Sequence, residues 1–247
     1  MNDAGHPCYG PDLALVHDRG FAAHAAVCAP GIVRLLAPVR TRGGLVLELG
    51  CGTGLLTKEL IAVGHRVIAT DASPAMLAIA RERLGGAAEE ISRLTLPDDE
   101  LPQADAIVAV GHPLNYLPDA DYVNRALIAM ADALAPAGVI AFDVCDLELG
   151  RVRRDDPPFG TAGPDWAIIT ELSTPAVDRI VRDITTFLPN ADGTWRRDSE
   201  HHENVLLESS RIPALLRTRG ISAHVHASFG VETLPIGMRV IIGRRPA

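Results

Sequence analysis

The sequence has no apolar run approaching the ~18 residues that a membrane-spanning helix needs. Its opening stretch, MNDAGHPCYGPDL, lacks a basic region followed by an apolar core. Neither a membrane span nor a signal peptide is expected, and the expected compartment is cytoplasmic. The four cysteines, Cys8, Cys28, Cys51 and Cys145, show no CxxC spacing. That argues for free thiols in a reducing setting, against a disulfide framework and against a zinc knuckle. An HExxH pair and clustered carboxylates are missing too, so no metal site is expected. Positive charge is in deficit, with 23 Lys+Arg against 31 Asp+Glu and a formal net charge of −8. A nucleic-acid partner, which needs a basic face, is not expected. Lysine is scarce, and there is neither an internal repeat nor a low-complexity tract.

What is present is a globular composition, 47% hydrophobic and 22% charged over 247 residues, enough for a full core with an elaboration. The most informative stretch is LVLELGCGTGLLTKEL, residues 45–60. Leu45, Val46, Leu47 and Leu49 make a short buried strand, three glycines follow at 50, 52 and 54, and Leu55, Leu56, Leu60 and Ile61 recur at helical spacing. Strand, glycine turn and helix aim free N–H groups at a bound ligand. A second strand, Val67 to Thr70, ends at Asp71, 21 residues after Gly50. An acid at that offset accepts the ribose hydroxyls of an adenosine cofactor. Ser73-Pro74 then caps and opens a helix to Leu84.

Strand and helix alternate over residues 45–146, which predicts a doubly wound parallel sheet with ligands outside the carboxyl ends of its strands. Residues 11–29 read as a helix broken near Gly20, and Pro30 reads as the N1 residue of a second helix. From Gly150 a loop-like stretch precedes three strands near 166–172, 179–188 and 194–207, with NADG as a hairpin turn. A helix over 210–219 and strands at 221–229 and 238–244 close the chain. The expected organisation is a helical cap or lid over 1–40, an α/β domain from 41–150 and 208–247, and an antiparallel β insertion over 151–207.

ELGCGTG followed by ATDASPAML, with LAPAGVIAFDV as a fifth strand, resembles the class I S-adenosylmethionine-dependent methyltransferases. The resemblance implies a Rossmann-like seven-stranded sheet with its last strand antiparallel. The dinucleotide spacing GxGxxG would place a glycine where Leu55 stands, and Glu48 before the loop suits the cationic methionine end better than a pyrophosphate. By position, the resemblance implies that Gly50, Cys51 and Gly52 line the cofactor with backbone. It also implies that Asp71 takes the ribose, that Ala72 and Met76 flank the adenine, and that His112 lies near the sulfonium. The family's acid after the third strand is replaced by Leu94, Thr95 and Leu96, so Thr95 and Leu96 are expected to serve the adenine.

For the acceptor, HPLNYL offers His112, Asn115 and Tyr116 at the mouth of the site. His201 and His202 are further candidate bases, on opposite faces of one strand. An insertion of this kind roofs the acceptor in small-molecule members of the family, so Trp166 and Trp195 are candidate lining residues. Arg179, Arg182, Arg196 and Arg197 are candidates for a carboxylate or phosphate. Tyr9, His17 and Phe21 sit where relatives close a lid. The expectation is a metal-independent transferase, monomeric or homodimeric, moving a methyl group to N or O of a small molecule. The alternatives are a non-catalytic S-adenosylmethionine-binding scaffold and a nicotinamide-dependent oxidoreductase.

Overall fold

The computed structural model describes residues 8–21 and 23–247. The first seven residues of the expected cap lie outside them. The α/β core follows the apolar periodicity closely. Strands β1 (Leu45–Leu49), β2 (Arg66–Asp71), β3 (Glu90–Arg93), β4 (Ala104–Ala109) and β5 (Leu134–Cys145) are parallel, and β10 (Ser222–His226) and β11 (Met238–Arg244) complete the sheet. The order is β10-β11-β5-β4-β1-β2-β3, with β11 antiparallel to both neighbours. Strand order reverses between β1 and β4, which opens a crevice at their carboxyl ends.

Each face of the sheet buries its own cluster, as alternation along the strands requires. Leu47, Leu49, Ile107 and Phe142 pack with α6 (Ala120–Ala133) and α8 (Ile212–Arg217). Val46, Val67, Ala106 and Val108 pack with α2 (Ala23–Leu35) and α4 (Leu55–Ala62). Helix α5 (Pro74–Leu84) starts with Ser73 accepting the Met76 N–H at 3.1 Å and stops at left-handed Gly85.

Three expectations need correction. Pro30 does not open a helix; it lies inside α2, after α1 (Pro11–Gly20) and before the short α3 (Ala37–Thr41). Burial of Cys28, Ala29 and Ile32 against β1 and α4 holds the segment helical across the proline, so packing overrides the local preference. The stretch after Gly150 is not all loop. It carries the end of α7 (Leu147–Val152) and a strand β6 (Phe159–Gly163) that pairs with β7 (Trp166–Ala176). The second sheet therefore has four antiparallel strands, β6-β7-β8-β9, with β8 spanning Arg179–Pro189 and β9 Trp195–Val205. β6 reads FGTAG, exposed and glycine-rich with no apolar alternation, which hid it from a hydrophobic pattern.

Helix α1 straps the two sheets together. Leu13 and Val16 pack with Trp166, Ile168, Ile184 and Leu188 of the second sheet. Asp18 pairs bidentately with Arg83 of α5 at 2.8 and 3.0 Å. Ahead of it, Glu200 of β9 accepts the N–H groups of Tyr9 and Gly10, both at 2.8 Å. Among the described residues, no helix is long and apolar enough to cross a membrane.

Candidate active site

The crevice is a cavity of about 650 Å³, within the usual range for a small-ligand site. The β1 loop forms its floor. Gly50 and Gly52 have φ of +70° and +55°, which side chains other than glycine's tolerate poorly. A Cβ on Gly50 would also lie 2.7 Å from Pro113, so the loop and the β4 turn touch through the missing side chain. At Gly52 nothing lies within 4 Å. Gly52→Ala should therefore cost about 1 kcal/mol in urea unfolding, from backbone strain alone. A loss of several kcal/mol would mean that the site is packed, not open.

Asp71 closes the β2 end. Its Oδ2 accepts the Gly52 N–H and its Oδ1 the Ser73 N–H, each at 2.8 Å. Burial raises its pKa, opposed by these backbone donors. Each oxygen keeps a lone pair for a further donor. Ala72, Met76, Thr95, Leu96 and Asp98 continue this end of the wall. The other end holds His17, His24, His112, Tyr116 and Arg182. Three atoms there, His17 Nδ1, His112 Nδ1 and Arg182 Nε, are buried without a hydrogen-bond partner. A polar ligand is the normal remedy for such groups.

Two features of that end do not follow from local sequence. Asp143, a fully buried acid in the otherwise apolar β5, accepts the Gly111 N–H at 3.1 Å and the His112 N–H at 2.6 Å. It also holds His24 Nε2 at 2.7 Å, a pair 119 residues apart in the chain. Burial tends to lower the pKa of His24, but Asp143 and, more weakly, Glu232 outweigh it and the net shift is upward. The other imidazoles of the wall go the opposite way. Burial, with the charge of Arg182, brings His112 and His17 each down to about 4.

A family model of a methyltransferase domain matches residues 46–138, the segment that carries both the glycine loop and Asp71. Over that segment the chain is a methyltransferase domain, and its relatives and structural neighbours support a class I S-adenosylmethionine-dependent methyltransferase. Its cofactor is S-adenosylmethionine, which sets aside the nicotinamide alternative. The chain is 25% identical to a putative methyltransferase of Bacillus subtilis over 78% of its own length and 79% of that protein's. It is 40% identical to a trans-aconitate 2-methyltransferase of Variovorax paradoxus, over 45% of this chain and 40% of that one. In fold it is similar to a methyltransferase of Clostridium acetobutylicum, with TM-score 0.80 and 18% identity over 95% of this chain and 98% of that one. A sugar N-methyltransferase from a Streptoalloteichus species superposes with TM-score 0.78 and 20% identity, over 100% and 99% of the two chains.

Within this methyltransferase the structure brings Gly50, Cys51, Gly52, Asp71, Ala72, Met76, Thr95, Leu96, His112 and Tyr116 to the cavity wall. It also brings Arg182 and the expected lid residues Tyr9, His17 and Phe21 there, but not the remaining candidates. Glu48 shares the α4 face of β1 with Val46, is 2% exposed, and accepts the Thr57 hydroxyl at 2.7 Å. Burial pushes its pKa up to about 8; its hydrogen bond ties β1 to α4, and it does not line the cavity. Asn115 is fully buried and receives the Cys145 N–H at 2.8 Å while donating to the Cys145 and Val205 carbonyls. It joins β5 to β9. Trp166 lies 7% exposed in the α1 cluster, outside the cavity, and Trp195 is exposed at the far end of β9. His201 pairs with Asp183 on the outer face of the second sheet. His202, on the inner face, pairs through Nε2 with Glu200 at 2.8 Å, leaves Nδ1 buried without a partner, and packs against Tyr9 and Tyr116 outside the cavity lining. Sequence reasoning missed His24, Asp143 and Asp98 and left Arg182 among four candidates. The one available signal was an acid inside VIAFDVC, in a strand otherwise apolar.

Proposed function

We propose that this methyltransferase moves a methyl group to a nitrogen or oxygen of a small molecule, with His24 taking the acceptor's proton. The observation that carries the reading is the His24–Asp143 pair in the cavity wall. Asp143 is fixed by two backbone N–H groups, so it orients the ring; no described residue hydrogen-bonds Nδ1, which is left as the accepting nitrogen. An imidazole with a raised pKa is a stronger proton acceptor than one brought down to about 4, which favours His24 over His112. The sequence-derived candidates His201 and His202 pair with Asp183 and Glu200 and do not line the cavity, whereas His24 does.

S-adenosylmethionine supplies an electrophilic methyl group on a sulfonium. The remaining work falls to the protein. Asp71 accepts ribose hydroxyls, Ala72, Met76 and Leu96 enclose the adenine, and Asp98 or the Thr95 backbone receives its amino group. The glycine loop lines the methionine portion. His112, held by its own N–H on Asp143, positions the acceptor, while α1 and Phe21 limit the entry of water. No role is assigned to a metal ion or to nucleic acid. The cavity's size, about 650 Å³, and the sugar N-methyltransferase likeness support a small acceptor, and four free cysteines suit a reducing cytoplasm.

Incubation with methyl-labelled S-adenosylmethionine and a panel of amines, alcohols and carboxylic acids tests the reading. One class should gain label with an equimolar yield of S-adenosylhomocysteine, read by mass spectrometry. Transfer to protein or nucleic acid alone would contradict it.

A further inference from the structure

Resting on the methyltransferase reading, we infer that the acceptor carries a carboxylate and that Arg182 is its binding residue. Arg182 stands on β8 opposite His202 in the β8–β9 register, on the face turned toward α1, and lines the cavity. Its Nη2 donates to the Tyr116 hydroxyl and, at 2.8 Å, to Asn204 Oδ1. Both partners are neutral. Nε is buried without a partner, and Nη1 bonds no described residue. No carboxylate among the described residues lies within ion-pair distance of this guanidinium.

The acids nearby are committed elsewhere. Glu200, on the same inner face two residues from His202, gives its oxygens to the Tyr9 and Gly10 N–H groups and to His202. Asp143 is already held by the Gly111 and His112 N–H groups and by His24. The contrast with Arg153 is informative, because that second cavity arginine is paired with Asp156. Arg93, the third, is exposed at the end of β3. A buried guanidinium without a counter-ion is costly unless a ligand completes it. Its planar fork fits a carboxylate in a two-point contact. One cation with no counter-ion among the described residues balances one negative charge, which favours a monoanionic carboxylate over a doubly charged phosphate. Tyr116, stacked on His112 at a centroid distance of 5.8 Å, and Tyr9, whose hydroxyl meets that of Tyr116 at 2.9 Å, complete a neutral polar wall. A cationic acceptor would meet repulsion here.

The test is a chemical-shift titration of the protein loaded with S-adenosylhomocysteine, using benzoate, benzamide, benzylamine and inorganic phosphate as probes. Benzoate should bind about 10- to 100-fold tighter than benzamide, as charge-assisted hydrogen bonds predict. Arg182→Gln should abolish that preference and leave the S-adenosylhomocysteine affinity unchanged. Arg182→Lys, which keeps charge but loses the fork, should retain part of it. Equal binding of benzoate and benzamide by the native protein, preference for benzylamine, binding of phosphate alone, or a preference surviving Arg182→Gln would each overturn the inference. Failure of the native protein to bind S-adenosylhomocysteine would instead count against the methyltransferase reading itself.

Discussion

Replacing His24 with alanine should lower kcat about 100- to 10,000-fold, the usual worth of a positioned general base. Affinity for S-adenosylmethionine should stay within a few-fold of native, because His24 stands at the acceptor end of the cavity, away from Asp71. Asp143→Asn should act through the same ring. It removes the charge that holds the His24 pKa above its ordinary value of 6.5 and weakens the bond that orients Nε2. The base works when neutral. Native activity should therefore rise with pH through a midpoint above 6.5, and the midpoint should fall in Asp143→Asn. The groups facing His24 include Asp143, Glu232, Cys28 and His17, and the two acids are the ones that raise its pKa. A full pH–rate profile of kcat/KM for native, His24→Ala and Asp143→Asn protein checks the set. If His24→Ala kept native kcat and the native limb, the proton would leave by another route.

The second large effect belongs to Asp71. In Asp71→Ala, S-adenosylmethionine binding should weaken by about 1.5–3 kcal/mol, roughly 10- to 150-fold, from lost charge-assisted hydrogen bonds. The change reaches beyond the ligand. Asp71 also receives the Gly52 and Ser73 N–H groups, so its removal loosens the loop that lines the methionine portion and the turn that starts α5. Asp71→Asn separates the two contributions. It keeps an oxygen for one backbone donor but loses the negative charge, and should recover part of the affinity. Calorimetric titration of the three proteins gives the comparison, and an unchanged affinity in Asp71→Ala would remove this residue from the site.

The cofactor end was legible because it is local. Gly50, Gly52 and Asp71 belong to consecutive elements, and backbone geometry dictates their residue types at fixed offsets. The parallel sheet followed from the same alternation of apolar strands and helices, and the antiparallel last strand from the family resemblance. The acceptor end was not legible, because it is assembled from distant segments. His24 comes from α2, Asp143 from β5 and Arg182 from β8, and no spacing rule connects them. Period-2 alternation correctly separated His201 from His202 but could not say which face met the cavity, nor that Glu200 would occupy the inner one. Glu48 misled for a related reason. Its charge suggested a cationic partner, whereas its place beside Val46 on β1 turned it toward α4 and Thr57. Asn115 showed the opposite failure, a polar loop residue used wholly for joining β5 to β9.

The two ends of the cavity are tied by Asp143 and the β4 turn. His112 takes its left-handed conformation, φ +50°, with its N–H on the same carboxylate that orients His24. One buried acid thus sets both the residue proposed to position the acceptor and the residue proposed to deprotonate it. The central claim is that these groups face the transferable methyl from the acceptor side. A crystal structure with S-adenosylhomocysteine bound tests it most directly. The ribose should sit on Asp71, with the sulfur beside the Gly50–Pro113 junction and facing the space bounded by His24 and Arg182. A sulfur directed away from that space, or a ribose bound elsewhere than Asp71, would contradict the account.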